Sequence, residues 1–173
     1  VNYGFYMGAG SDNVEELKNT ANIAGIKIYM NLTTGKLLIE NDRILKNIFE
    51  IQNKLFAVHA EGETFEKAIQ FFETNPTAAL YLCHASLKRE IEIARKKKAE
   101  GKKVFVEVCT HHLFLTEKDR EELESYGIMK PPLAAEADQE ALWQAINDGT
   151  VDTIATDHAP HTKEEKESSN PPF

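Results

Sequence analysis

The sequence predicts a parallel α/β fold, and two observations support this. Six short apolar runs, rich in Val, Ile, Leu, Phe and Tyr, recur along the 173 residues. Runs of this kind are typical of strands that are buried on both faces of a parallel sheet. Segments with the apolar period of an amphipathic helix lie between the runs, so strands and helices alternate.

The individual elements follow in chain order. The strand-like runs are YGFYMGA, GIKIYMN, KLFAVHAE, ALYLCHAS, KVFVEVCTHH and DTIATDHAP. The helix-like segments are SDNVEELKN, DRILKNIFEIQNK, ETFEKAIQFFE, LKREIEIARKKKAEG, TEKDREELES and DQEALWQAINDG. A Gly-rich phosphate loop of the GxGxxG kind does not follow the first run, which disfavours a dinucleotide-binding sheet.

Polar residues at the run ends favour a (β/α)8 barrel over an open sheet. His59, His84, His111 and Asp157 each come at the end of a different strand-like run. In such a barrel the carboxyl ends of the strands converge on one mouth, where the active site lies. A closed barrel has eight strands and about 250 residues. We therefore interpret residues 1–173 as one incomplete barrel domain of about six strands, and as a piece of a longer polypeptide that is inactive by itself.

Composition excludes several classes of function. The net charge of −8, from 28 acidic and 20 basic residues, disfavours binding to nucleic acid. Apolar runs long enough to span a bilayer do not occur, which argues against a membrane protein. Cys83 and Cys109 lie inside apolar runs, as reduced buried thiols do, and this indicates a cytoplasmic protein.

The run ends offer a set of candidate metal ligands. His59, His84 and Asp157 carry the nitrogen and oxygen donors that a catalytic Zn²⁺ ion prefers. Taken singly, each histidine also fits a hydrogen-bonded core or loop position, and Asp157 also fits a turn or helix cap. Asp157 is a candidate general base as well, since a carboxylate there can take a proton from water.

Lys27 needs a separate account, because it stands between isoleucines in GIKIYM. Burying its charge is costly, so it reaches an edge, pairs with a carboxylate, or loses its proton. A neutral lysine beside metal ions can react with CO₂, and the resulting carbamate can bridge two metals.

ATDHAPHTKEEK, residues 155–166, resembles a signature of the dihydroorotases. Ala155, Thr156, Asp157, Ala159, Pro160, His161 and Lys166 match that pattern. GIKIYMN, VHAE, LCHAS, VEVCTHHLFL and ALWQAINDGTVDTIATDHAPH resemble further blocks of the type I dihydroorotases, which belong to the amidohydrolase superfamily of barrels.

The resemblance implies an enzyme that interconverts N-carbamoyl-L-aspartate and L-dihydroorotate in pyrimidine synthesis, with one or two Zn²⁺ ions. It implies that Lys27 is the carboxylated bridge between the metals, and that His59 and His84 are metal ligands. Asp157 is then both ligand and general base, while His161 and Lys130 bind the small-molecule substrate. It also implies a homo-oligomer or association with aspartate transcarbamoylase.

Two departures keep other interpretations open. The family's His-x-His pair is absent from this chain, and the adjacent His111 and His112 cannot replace it along a strand, where neighbouring residues face opposite sides. The loop KPPLA, with Lys130 and Ala134, replaces the common NPPLR. The alternatives are a non-catalytic dihydroorotase-like assembly partner of aspartate transcarbamoylase, or another cyclic amidohydrolase such as an allantoinase or hydantoinase.

Overall fold

The structure, a computed structural model, describes residues 2–33 and 35–173, which form two compact units. The first unit comprises Val1–Cys83 and Gly101–Phe105, and the second comprises His84–Glu100 and Val106–Phe173. Strands and helices alternate along the first unit, as predicted, whereas several helical segments follow one another between the two strands of the second.

The elements are numbered in chain order. The strands of the described residues are β1 (Tyr6–Gly8), β2 (Gly25–Tyr29), β3 (Leu55–His59), β4 (Ala79–Leu82), β5 (Val104–Cys109) and β6 (Thr153–Ala155). The α-helices are α1 (Val14–Asn19), α2 (Asp42–Phe49), α3 (Glu63–Glu73), α4 (Lys88–Ala99), α5 (Thr110–Phe114), α6 (Arg120–Leu123), α7 (Glu136–Asn147) and α8 (Lys163–Lys166). Two 3-10 helices span Glu117–Asp119 and Glu124–Gly127.

In the first unit, β1 to β4 pair in parallel and follow their order in the chain. Lys27 on β2 lies opposite Gly8 on β1 and Ala57 on β3. This register confirms the predicted parallel sheet and puts Lys27 on a strand that has a neighbour on each side.

Aromatic packing forms the core of the first unit. Phe49 of α2 and Phe56 of β3 are fully buried, with ring centroids 5.0 Å apart. Phe65 of α3 is buried as well. Gly25 permits the close approach of β2 to β3, because a Cβ atom there would lie 2.6 Å from the carbonyl oxygen of Leu55.

In the second unit, β5 pairs in parallel with β6, and Glu107 lies opposite Thr153. Helices α4 and α7 pack together and bury Ile91 and Leu142. The pair is tied at the end of α7, where Arg95 Nη2 donates to the Asp148 carboxylate over 2.7 Å.

Three helical segments differ from expectation. TEKDREELES, predicted as one helix, divides into two 3-10 helices and the short α6. Helix α5 begins inside the run KVFVEVCTHH, which was predicted as a strand throughout, and a one-turn helix, α8, follows β6. Among the described residues, the helices are all too short or too polar to cross a membrane.

Candidate functional site

His59 is the last residue of β3 and is buried, with 2% of its surface exposed. Its carbonyl accepts a hydrogen bond of 2.9 Å from the backbone N–H of Met30, which extends the pairing of β2 and β3 by one residue. Its Nε2 atom lies 3.1 Å from a carboxylate oxygen of Glu61. The prediction that His59 ends a strand is confirmed.

The loop after β3 holds Glu61 in place. The backbone N–H of Glu61 donates to the side-chain oxygen of Asn31 over 2.8 Å and to the Thr64 hydroxyl over 3.0 Å. The Thr64 hydroxyl also donates to Asn31. Because Asn31 lies just beyond β2, the ends of two adjacent strands are joined beside His59.

Lys27 lies in the middle of β2 and is half-buried. Its Nζ atom donates to the Cys83 thiol over 2.9 Å and lies 5.1 Å from the centroid of the Tyr29 ring. The same Tyr29 ring lies 5.8 Å from the imidazole of His59. The first unit therefore places Lys27 and His59 against one aromatic side chain.

His84 belongs to the second unit and follows the end of β4 by two residues. It is buried, with 4% of its surface exposed, and its φ of 38° is in the left-handed region that a residue with a Cβ seldom adopts. Glu107 of β5 holds this turn: its carboxylate accepts from the backbone N–H of His84 over 3.0 Å, and its carbonyl accepts from Ala85 over 2.8 Å. Glu107 thus positions the backbone that carries His84.

Asp157 follows the end of β6 by two residues and is exposed. Its φ of 46° is also in the left-handed region, which aspartate tolerates better than most residues. Burial lowers the pKa of His111, and the carboxylate of Asp157 acts in the opposite direction on that pKa. The negative charge of Asp157 therefore interacts with the imidazole of His111, which belongs to the same unit.

The two predicted substrate-binding residues are also in the second unit. His161 Nδ1 lies 3.4 Å from the Glu165 carboxylate, within the capping box that begins α8. Lys130 is half-buried, and its Nζ atom lies 5.8 Å from the centroid of the Phe173 ring. Lys166 of the same motif donates to the carbonyls of Ile128 and Pro172, each over 2.7 Å, and so ties down this end of the chain.

The donor set suits a divalent metal in its chemistry. His59 is a buried imidazole at the end of β3 in the first unit, and His84 is a buried imidazole just beyond β4 in the second. Asp157 lies just beyond β6. Imidazole nitrogen and carboxylate oxygen are the ligands of catalytic zinc. That these three residues and Lys27 share one metal site stays a prediction.

The structure also brings together donors that the sequence did not reveal. One ligand atom each from Cys109, His111 and His112 lies within 4.8 Å of the others. The prediction that the two histidines face opposite sides of a strand is wrong, because both lie in α5. The start of α5 was hard to predict because VEVCTHHLFL is mostly apolar and contains no glycine, proline or other turn residue where β5 ends.

Comparison with known proteins gives the family. The multifunctional protein CAD of Squalus acanthias is 38% identical over 174 residues, which cover 98% of this chain and 8% of that protein. A dihydroorotase of Lactobacillus johnsonii is 49% identical over 107 residues, which cover 61% of this chain and 25% of the enzyme. The chain belongs to the dihydroorotase family. A search against protein-family models gave no match.

The fold agrees with this family. The L-hydantoinase of Arthrobacter aurescens superposes with a TM-score of 0.87 at 22% identity, over 96% of this chain and 45% of that one. This match confirms the predicted fold class, that of the amidohydrolases. The fold is incomplete over this chain, because the match covers less than half of the hydantoinase. The family consists of metal-dependent amidohydrolases. The chain spans a quarter or less of the two curated relatives described above.

Proposed function

We propose that the chain provides metal ligands, the general base and substrate contacts of a dihydroorotase, which interconverts N-carbamoyl-L-aspartate and L-dihydroorotate. The observation that carries the proposal is the placement of ATDHAPHTKEEK. It leaves β6 at Ala155 and presents Asp157 exposed, two residues beyond the strand. The identity to a dihydroorotase of Lactobacillus johnsonii supports the same substrate.

Asp157 is the general base in this proposal. Hydrolysis of dihydroorotate breaks the ring amide bond: the oxygen of water joins the carbonyl carbon and one proton goes to the ring nitrogen. Asp157 takes the proton from the attacking water and returns it to the leaving nitrogen. In the reverse direction the same carboxylate takes the proton from that nitrogen as the ring closes. Its exposed position gives water and substrate access.

Lys27, His59, His84 and Asp157 are the residues that would hold Zn²⁺, with Lys27 carboxylated. When bound, the metal polarises a carbonyl group and lowers the pKa of a water molecule. The half-buried position of Lys27 and its thiol partner support a role for this amine beyond solvation at the surface. His59 and His84 are both buried and carry imidazole nitrogens, which are common zinc ligands.

His161 and Lys130 would bind the anionic substrate. Dihydroorotate carries a carboxylate, and both side chains can present N–H donors to it. Glu165 engages Nδ1 of His161, so Nε2 is the nitrogen that this contact leaves for another partner. The carboxylate also separates this substrate from hydantoin and dihydrouracil, which lack it.

Association with aspartate transcarbamoylase or with further copies of the chain is the proposed assembly. The identity to a multifunctional protein supports a setting with further domains.

The deciding experiment is a substrate comparison with the full-length protein that contains this sequence. It should turn over dihydroorotate and carbamoyl-aspartate, lose activity to a chelator, and regain it with Zn²⁺. Dihydrouracil and hydantoin serve as carboxylate-free controls and should be turned over at least about tenfold less efficiently, since a missing charged contact costs 1.5 kcal/mol or more by rough estimate. Equal turnover of dihydrouracil would instead favour a hydantoinase, and absence of all three activities would favour a non-catalytic assembly partner.

A further inference from the structure

We propose that Cys109, His111 and His112 form a divalent-metal site with a thiolate ligand, separate in its residues from the proposed dihydroorotase ligands. The inference goes beyond the proposed function, because it requires neither Lys27 nor dihydroorotate. Its starting point is the cluster of one sulfur and two imidazole donors whose ligand atoms all lie within 4.8 Å of one another.

The backbone explains how three near-consecutive residues converge. Cys109 is the last residue of β5, and α5 begins at the next residue. Along a strand, adjacent side chains point to opposite faces, whereas adjacent residues of a helix differ by only about 100° in direction. His111 and His112 therefore lie side by side, with ring centroids 4.2 Å apart. The change from strand to helix at Thr110 thus accompanies the placement of one nitrogen of each imidazole within 4.8 Å of the sulfur.

A contact to the backbone prepares His112 for binding. Its Nε2 atom lies 3.1 Å from the carbonyl oxygen of Pro131. A carbonyl can only accept, so Nε2 carries the proton and the lone pair of the ring is on Nδ1. Histidines that bind metals commonly donate their other ring N–H to a carbonyl in this way, which fixes the ring and the tautomer.

Helix α5 is held in place as well. Trp143 of α7 donates its indole N–H to the carbonyl of Leu113 over 2.9 Å, and its ring packs edge-on against Phe114 at 5.5 Å. The helix has only five residues, so contacts of this kind are what fix its position. Cys109 and His112 are buried and His111 is half-buried, so the cluster reaches solvent through His111.

The donor types select the metal. One thiolate and two imidazoles suit Zn²⁺ or Co²⁺ in a tetrahedral site with water as the fourth ligand, and disfavour Mg²⁺ and Ca²⁺. Zinc bonds of roughly 2.0–2.3 Å put tetrahedral ligand atoms about 3.3–3.8 Å apart, so ligand atoms that lie within 4.8 Å of one another need to approach by about 1.5 Å at most.

Cobalt is the probe that distinguishes this site, because a thiolate ligand gives Co²⁺ an intense near-ultraviolet charge-transfer band. Titration of the metal-free full-length protein should produce this band, and Zn²⁺ should abolish it by displacement. The Cys109→Ser variant should lose the band. The Cys83→Ser variant should keep it, which distinguishes Cys109 from the other cysteine of this sequence.

Variants of the histidines test the same site without altering a buried sulfur. His111→Gln, at a half-buried position, should lower the cobalt affinity, as measured from the intensity of this band, by about tenfold or more. Loss of a residue that only hydrogen-bonds to a metal ligand already lowers metal affinity by that factor. His158→Gln, at an exposed position, is the matched control and should not change it. Because His111 is half-buried whereas Cys109 is buried, His111→Gln tests the site even where Cys109→Ser fails to fold.

Three results would overturn the proposal: no band at saturating cobalt, a band that survives Cys109→Ser, or equal cobalt affinity of His111→Gln and His158→Gln. The band reports sulfur alone, so it also separates this site from the proposed catalytic one. A protein without dihydroorotase activity that shows the band refutes the proposed function only. An active protein without the band refutes the thiolate site only.

Discussion

The side-chain nitrogen of Lys27 donates a hydrogen bond of 2.9 Å to the sulfur of Cys83. This contact links the middle of β2 to the residue that follows β4 within the first unit. It offers the amine a soft, polarisable neighbour in place of a carboxylate. A lysine held in this way can give up its hydrogen bond to a thiol more easily than it can break a buried ion pair.

Replacing Lys27 separates a chemical role from a structural one. In the full-length protein, Lys27→Met keeps the aliphatic length but removes the amine, so we expect no measurable dihydroorotase activity and a lower zinc content, with the fold retained. Turnover and metal analysis check this, and circular dichroism checks the fold. Lys18→Met is the matched control, because Lys18 is exposed and pairs with Glu15 across one turn of α1. Normal activity of Lys27→Met would exclude a bridging carbamate.

Replacing Asp157 tests proton transfer. Asp157→Asn is nearly isosteric and asparagine also tolerates a positive φ, so the turn after β6 should persist. We expect turnover in both directions to fall by about 10²–10⁴, the usual contribution of a general base. Asp12→Asn, at an exposed position, serves as the control. Unchanged turnover would remove Asp157 from the role of base.

We expect Asp148 to make the free energy of unfolding of the second unit depend on pH. Its pKa is lowered, first by the hydroxyl and the backbone N–H of Thr150 and then by Arg95, while burial opposes the shift. A carboxyl whose pKa is lower in the folded state stabilises the fold above its unfolded pKa, and this contribution is lost as the pH falls through the folded pKa.

The corresponding measurement is the free energy of unfolding against pH. We expect Asp148→Asn to be less stable than the parent protein near neutral pH and to lose less stability on acidification. Asp12→Asn should follow the parent curve. Parallel curves for the parent and Asp148→Asn would show that this carboxyl does not contribute to the acid dependence.

Gly25 gives a prediction about packing alone. A methyl group there would meet the carbonyl oxygen of Leu55, so Gly25→Ala forces β2 and β3 apart. We expect the free energy of unfolding to fall by about 1–3 kcal/mol, the usual cost of overpacking. At Gly10 the nearest atom would be 3.4 Å away, an ordinary contact, so Gly10→Ala should change stability less. Denaturant titration of the two variants compares them directly.

Sequence alone predicted the regular elements best where the period was strong. ETFEKAIQFFE was predicted as a helix and is α3 over Glu63–Glu73, because its apolar residues recur on one face. The prediction failed at α5, where apolar residues occur on both sides of the boundary between strand and helix. A continuous apolar run carries no period from which the two can be told apart.

The candidate site divides in the same way. His59 could be placed at a strand end because the apolar run that forms β3 is visible in neighbouring residues of the sequence. The partner of Lys27 could not be predicted, since Cys83 is 56 residues away and only pairing of the strands brings it near. The alternatives read from the sequence offered Lys27 an edge, a carboxylate or the loss of its proton, and a thiol acceptor was not among them.

The left-handed backbone at His84 and Asp157 has a consequence for saturation mutagenesis. In a library of all replacements at either position, the activity of each variant would depend both on its chemistry and on how well the new residue tolerates a positive φ. Valine and isoleucine should be depleted for poor expression alone, since a left-handed conformation costs most residues with a Cβ roughly 1–2 kcal/mol and β-branched residues tolerate it least, whereas asparagine adopts it more readily. Asparagine and glycine should express well even if they are inactive. Scores at these positions become interpretable only when activity is divided by the abundance of each variant.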